Sequence, residues 1–189
     1  IWRSLVGSEM CIRDRSRTTS KIKIKQLEKN MSSTNVLKRD GTTEELNLDK
    51  VHKMVEFAVE GLAGVSASQV EIQSGLQFCD GIKSSDIQEI LIRSASDLIS
   101  EEHPNYQYVA ARLLLFGLRK AVHGHPEILP PLSEHIKGCV DKGVYDGTIV
   151  NRYSEEEWNR IDSFVDHERD YLFTYAGLRQ VVDKYLVQD

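Results

Sequence analysis

The stretch Val36-Leu-Lys-Arg-Asp-Gly-Thr-Thr-Glu-Glu-Leu-Asn-Leu-Asp-Lys50 decides how the rest of the chain is read. Two short β-prone runs, Asn35–Arg39 and Thr43–Asn47, flank Asp40-Gly41. Asp tolerates positive φ and Gly adopts it without penalty, so the dipeptide predicts a tight hairpin whose twist matches its strands. Charge is gathered around this turn. Lys38 and Arg39 precede it, Glu44 and Asn47 lie on the return strand, and Lys50 opens the helix that follows. The free N–H groups and the dipole of a helix N-terminus both favour anions, so cations placed there make a polyphosphate cradle. A carboxylate and an amide beside them can hydrogen-bond a base edge. The competing reading is a surface hairpin with solvated charges, and this stretch alone leaves both open.

The segments downstream read as helices. Leu48, Val51, Met54, Val55, Ala58, Val59 and Leu62 recur at helical spacing, and Gly61 and Gly64 end the pattern. Ser68 with Glu71 is a capping-box pattern for a second helix running to about Phe78, which Asp80-Gly81 breaks. Ser85 with Gln88 predicts another box, and Ile87, Ile90, Leu91, Ala95, Leu98 and Ile99 form the apolar face of a third helix. It stops before Pro104, since the residue ahead of a proline disfavours helix. A fourth helix covers Tyr106 to Val122, with Tyr108, Val109, Leu113, Leu114, Phe116 and Leu118 largely buried. The expected architecture is mainly α, with a small β-hairpin cap over a four-helix bundle in residues 31–124. The run His123 to Pro131 is the clearest punctuation, and a domain boundary is expected there. Residues 125–189 form a second helical region, with segments at about 132–143, 154–165 (Ser154 with Glu157 as its box) and 173–187, while Ile149–Tyr153 is too short to found a sheet.

The chain has 189 residues, 40% hydrophobic and 28% charged, with four prolines, as in an ordinary globular protein. No apolar run approaches the roughly 20 residues of a membrane span. Three widely spaced cysteines, Cys11, Cys79 and Cys139, contain no C-x-x-C pair, which argues against a zinc ribbon and a disulfide framework and suits the reducing cytoplasm. The net charge of −5 hides an asymmetry: residues 1–30 carry eight Lys/Arg against Glu9, Asp14 and Glu28. A nucleic-acid arm or a transit peptide would have this composition. A third reading is preferred, because Ser4 to Arg15 resembles a translated sequencing-library adaptor and the Lys/Ile/Asn-rich remainder an untranslated leader read in frame. Residues 1–30 are then a non-native leader without function, and Met31 is the start.

The ordered series Val-Leu-Lys-Arg-Asp-Gly41, Glu44-x-x-Asn47-x-x-Lys50, Gly81-Ile-Lys-Ser-Ser-Asp-Ile87, Ala110-Ala-Arg-Leu113 and Leu118-Arg-Lys120 resembles an ATP-cone. Its order and spacing are those at the N-terminus of the large (α) subunit of class Ia ribonucleoside-diphosphate reductases. The likeness continues through Lys142-Gly-x-Tyr-Asp146, Tyr153-Ser-Glu-Glu-Glu157, Asp166-His-x-Arg-Asp170 and Lys184-Tyr-Leu-Val-Gln188, similar to the helical lead-in to that enzyme's catalytic barrel. The resemblance implies an overall-activity switch, on with ATP and off with dATP, with magnesium accompanying the nucleotide. Carried over by residue, Lys38, Arg39 and Lys120 face the phosphates, Glu44 and Asn47 meet the adenine, and Lys50 helps close the pocket. Ser84 stands where the family has Thr, and either hydroxyl can donate to a phosphate oxygen. Gln88 and Gly117 stand where the family has histidines. Gln can hydrogen-bond but not titrate, so the departure bears on dATP-versus-ATP discrimination more than on binding. Asp86 is a further candidate for the switch.

The resemblance also implies the whole enzyme's reduction of ribonucleoside diphosphates, through a thiyl radical generated with a di-iron small (β) subunit, with electrons from thioredoxin or glutaredoxin. An α–α homodimer and a cytoplasmic location go with it; nucleic acid and membrane do not. The cysteine triad and radical-transfer tyrosines of such an enzyme are expected beyond Asp189, so this stretch holds no catalytic residue. Two other classes are weighed. A cone in a transcriptional repressor would need a four-cysteine zinc ribbon ahead of it, which three cysteines cannot supply. A helical interaction module without ligand would leave the hairpin charges merely solvated. His52 and the other histidines are read as surface or packed side chains rather than metal ligands. Cys79 and Cys139 are read as small buried fillers, and Trp158, Phe164, Tyr171, Phe173 and Tyr175 as core or interdomain packing.

Overall fold

The computed structural model describes residues 35–38, 41–75, 77–126 and 128–186. The expected leader, 1–30, and Arg39 lie outside the described residues. The described chain is mainly helical with one small sheet, as expected. It falls into two compact units, one reaching Tyr106 and the other starting at Gln107.

The first unit begins with the hairpin. Strand β1 (Asn35–Leu37) pairs antiparallel with β2 (Thr43–Glu45), Val36 lying opposite Glu44. The turn closes through Gly41 N–H to Lys38 C=O at 3.0 Å, and Gly41 holds φ +82°, which a side chain would strain. The sheet has a third strand that no local periodicity announces. Ile82–Lys83 (β3) runs parallel to β1, pairing Ile82 with Val36 and Lys83 with Leu37. Asp80 secures it. Its Oδ1 accepts from the Asn35 backbone N–H at 2.7 Å and from the Asn35 side-chain amide at 3.1 Å. Gly81, at φ +79°, then turns the chain into the strand and donates to Asn35 C=O at 2.9 Å. Val36 and Ile82 are both buried, so the sheet closes one end of the helical core.

Helix α1 (Leu48–Val59) buries Val51, Val55 and Ala58, at the i, i+4, i+7 spacing of one face. Asn47 caps it, accepting from the Lys50 N–H at 3.1 Å. Helix α2 spans Ala67–Gly75 and α3 spans Ser84–Asp97. Both expected capping boxes here fail. Ser68 lies inside α2, and Glu71 is drawn instead to His52 on α1, at 2.6 Å from its Nδ1. The N-cap of α3 is Lys83, with no side-chain cap bond, because the strand pairing of Lys83 starts the helix two residues early and places Ser85 inside it. In α3, Ile87, Leu91 and Ala95 are buried as expected, with Ile92 and Ser94 also covered, while Ile99 lies past the helix end and is 40% exposed. Tyr106, 1% exposed, anchors the end of the unit. Its hydroxyl accepts from the Ser66 N–H at 3.0 Å and donates to Gln69 Oε1.

Helix α4 (Tyr106–His123) leads into the second unit. Val109, Ala110, Ala111, Leu113, Leu114 and Leu115 are all buried, whereas Tyr108, Phe116 and Leu118 are half-buried. After it come α5 (Leu132–Asp141), α6 (Thr148–Arg152), α7 (Glu155–Asp162), a 3-10 turn (His167–Leu172) and α8 (Tyr175–Lys184). Ile149–Tyr153 is mostly the short helix α6. The Ser154–Glu157 box forms in full, at 2.8 and 3.3 Å. Asp166 and Thr174 act as caps too, and Asp146 closes a turn ahead of Gly147, the N-cap of α6. Asp146 accepts from the Thr148 N–H, Asp166 from the Glu168 N–H, and Thr174 from the Gly177 N–H. Asp162 ties α7 to the start of α5 by accepting from the Leu132 N–H at 2.8 Å. Trp158 is buried with Tyr153 edge-on at 5.3 Å, but Phe164 is 77% exposed, so the aromatic set is not one packed core. Cys79 is exposed and Cys139 half-buried, which corrects their reading as buried fillers.

Candidate functional site

The hairpin, the start of α1 and the start of α3 bring most of the expected residues to one end of the first unit. Glu44 is the hub. Its Oε2 is ion-paired to Lys38 across the hairpin, and its Oε1 accepts from Lys50 Nζ at 3.0 Å. These two lysines hold the Glu44 carboxyl below its usual range, first through their hydrogen bonds and then through their charge. The arrangement follows from the fold: β2 carries Glu44 back past Lys38, and one helical turn after Leu46 sets Lys50 beside it. Asn47 spends its Oδ1 on the α1 cap and keeps its side-chain N–H groups.

The unexpected third strand completes the cluster. Because Lys83 pairs with Leu37 in parallel register, the N-terminus of α3 opens beside Lys38. Ser84 is its first residue, and Gln88, four positions on, shares its face. Strand alternation buries Ile82 and turns Lys83 outward, which adds a cation from the Gly81–Ile87 motif to which the sequence assigned no role. The signal for it was the Gly81-Ile-Lys run, whose strand character depends on pairing Ile82 with Val36, 46 positions earlier. Asp86 lies in the first turn of α3 and accepts from the Ser85 hydroxyl at 3.1 Å.

Six of the eight expected residues, Lys38, Glu44, Asn47, Lys50, Ser84 and Gln88, therefore belong to this unit. Lys120 sits exposed in the last turn of α4, in the second unit. Among the described residues no group of three or more His, Cys, Asp or Glu is arranged to hold a metal ion. No described helix is long and apolar enough to cross a membrane.

Two features outside the cluster were not foreseen. His52 on α1 bridges two carboxylates, Glu71 on α2 at 2.6 Å and Glu56 at 3.1 Å, and the Glu71 hydrogen bond leads in raising its pKa. Arg119, 8% exposed, forms an ion pair with Asp170 at 2.7 Å. Glu71 and Asp170 cannot be picked out from sequence, since each lies on a different element from its partner, whereas His52–Glu56 is a local i, i+4 pair within α1.

The ATP cone domain family matches residues 34–121. Ribonucleoside-diphosphate reductase 1 subunit alpha of Escherichia coli K12 is 51% identical over 154 residues, and the subunit alpha of Haemophilus influenzae is 50% identical over the same length. Each alignment covers 82% of this chain and 20% of the relative. The subunit alpha of Enterobacteria phage T4 is 41% identical over 163 residues, covering 84% of this chain and 21% of that one. The chain thus spans about a fifth of the length of the curated relatives it matches. Residues 34–121 are an ATP cone domain, and 82% of the chain is similar to about a fifth of the ribonucleoside-diphosphate reductase α subunits named above.

Proposed function

We propose that the cluster around Glu44 is the effector site of an overall-activity switch, taking ATP or dATP. One observation carries this reading: β2 and β3, both paired to β1, lead into the N-termini of α1 and α3 and bring them beside Lys38, Lys50 and Lys83. Helix N-termini and fixed cations are the two protein features that favour polyphosphate. In this reading Lys38 and Arg39 hold phosphate with Lys120, which is retained on the family pattern. Ser84 donates to a phosphate oxygen. Glu44 and the Asn47 amide meet the adenine edge, and Lys50 and Gln88 close the pocket. Binding would transfer Lys38 from Glu44 to phosphate and release a Glu44 oxygen to accept from the adenine amine. Magnesium would ride on the phosphates, because the carboxylate at the centre of the cluster is engaged by two lysines.

The domain reading that accompanies this is a regulatory cone over residues 31–124 and the helical start of the catalytic region over 125–189. The whole protein would reduce ribonucleoside diphosphates in the cytoplasm as an α–α homodimer working with a di-iron β subunit. A competing reading, a helical interaction module without ligand, draws on the same ion pairs, since Glu44 already satisfies two of the cations. Calorimetric titration of the 189-residue chain with ATP and with dATP, each with magnesium, separates them. Saturable binding supports the effector site, and tighter dATP binding supports a working off-state despite Gln88 and Gly117. Absence of heat for both nucleotides favours the interaction module.

A further inference from the structure

The parallel pairing of β1 with β3 is short, and a carboxylate staples one end of it. β1 has three residues and β3 has two, and each strand buries one apolar side chain, Val36 and Ile82. A ladder this small supplies few backbone bonds, and a strand so lightly anchored opens locally at low cost. Asn35, the first residue of β1, makes three hydrogen bonds to the two residues ahead of β3. Its backbone N–H donates to Asp80 Oδ1 at 2.7 Å, and its side-chain amide donates to the same oxygen at 3.1 Å. Its C=O accepts from the Gly81 N–H at 2.9 Å. Asp80 therefore supplies two of the three bonds, and hydrogen bonds to a carboxylate are stronger than those between neutral groups.

The direction of the pairing gives the staple its consequence. In a parallel pair both strands enter at one end and leave at the other. Asn35 and Asp80 lie at the entry, whereas Lys38 and Ser84 are the first residues past the exit, following the paired Leu37 and Lys83. Adjacent strands are about 4.8 Å apart, so Lys38 and the first residue of α3 leave the sheet as neighbours while β1 lies on β3. Helix α3 is fixed by its own buried residues, Ile87, Leu91, Ile92 and Ala95, so the staple acts on β1. Glu44, Asn47 and Lys50 are independent of it, because they sit on β2 and at the start of α1, on the other side of the hairpin. We propose that Asp80 is a positioning residue for the phosphate end of the effector site: it keeps β1 docked on β3 and so sets Lys38 beside Ser84. This rests on the nucleotide reading of the cluster. A ligand that requires the docked pair binds in proportion to the docked population, so loss of the staple is read as a weaker apparent affinity.

The test measures ATP–magnesium by calorimetry and adenosine by ligand-observed NMR, in the 189-residue chain and three variants. Asn35 and Asp80 are both exposed, so Asp80→Ala leaves the Asn35 donors to water rather than buried and unpaired. Asp80→Ala is expected to weaken ATP about tenfold, near the low end of what a bond to a charged group contributes. Adenosine, which has no phosphates, is expected to keep its affinity. Asp80→Asn retains an accepting oxygen and should recover most of the loss. Asn35→Ala removes the side-chain donor alone and should weaken ATP about threefold. It carries the test should Asp80→Ala lose its circular dichroism signal. Unchanged ATP affinity in the folded variant overturns the role of Asp80 and leaves the nucleotide site standing. Equal loss of ATP and adenosine also overturns it, because the damage would then be to the unit as a whole. Failure of Asp80→Asn to recover affinity overturns the accepting oxygen as the cause. Absence of ATP binding to the parent chain overturns the nucleotide site, and the role of Asp80 with it.

Discussion

The two units stabilise themselves differently. In the first, the sheet residues Val36 and Ile82 and the helix residues Val55, Val70, Leu91 and Ile92 are at most 7% exposed, and Ile99 is its sole large hydrophobic residue exposed among those described. In the second, α4 is buried along much of its length, but Ile128, Val144, Phe164, Leu172 and Tyr185 are each more than half exposed. Of the later helices, α5, α7 and α8 each bury one apolar residue, Ile136, Trp158 and Leu178, and the remaining ties are polar: the Ser154–Glu157 box, the Asp166 and Thr174 caps, the Asp146 turn, the Asp162–Leu132 tie and the Arg119–Asp170 ion pair. Caps set where helices begin but supply only about 1 kcal/mol each, whereas burying a leucine supplies two or three times that. A unit built on burial presents a rigid platform for a site, and one that leans on caps and single ion pairs opens locally at lower cost.

Substitution of Leu91 tests this contrast most strongly. Leu91→Ala, at a fully buried position, should cost about 2–5 kcal/mol and lower the urea midpoint markedly. Phe164→Ser in the second unit should stay within about 0.5 kcal/mol. Comparable losses at the two positions would erase the distinction between the units. Next in size is the effector site. Lys38→Ala with Lys120→Ala should weaken ATP by on the order of 100-fold in calorimetry, from two charge-assisted contacts. Affinity that survives the double change would leave the charges of the hairpin merely solvated.

In the second unit, Ser154→Ala removes one half of a formed capping box and should cost about 1 kcal/mol in thermal or urea unfolding. A negligible cost would mean that caps do not carry this unit. The smallest expected effect is pH-dependent. His52 has its pKa raised above the usual 6.5 by Glu71 and Glu56, so its contribution is fully present below about 6.5 and lost as pH rises through the folded value. His52→Gln should therefore destabilise the chain more at pH 5.5 than at pH 8. A difference that grows with pH would place the imidazole outside the ion pairs. Glu44 runs the other way: its lowered pKa gives a contribution present above about 4.5 and lost as pH falls through the folded value.

The hairpin, α1 and α4 were legible because their signals are local. Asp40-Gly41 and the i, i+4, i+7 pattern of Val51, Val55 and Ala58 need no partner to be interpreted. The Ser154–Glu157 box was legible for the same reason, since donor and acceptor lie three residues apart. The boxes at Ser68 and Ser85 were misread because distant partners won: Glu71 is claimed by His52 on another helix, and the pairing of Lys83 with Leu37 starts α3 early. Residue types and spacing thus determined the class of fold, the cationic hairpin and the ordered motifs of an ATP cone. Tertiary structure alone decided that β3 joins the hairpin, that Glu44 bridges two lysines, and that Arg119 fastens Asp170. Those contacts join residues up to 51 positions apart, and such pairings are set by register and burial rather than by any periodicity along the chain.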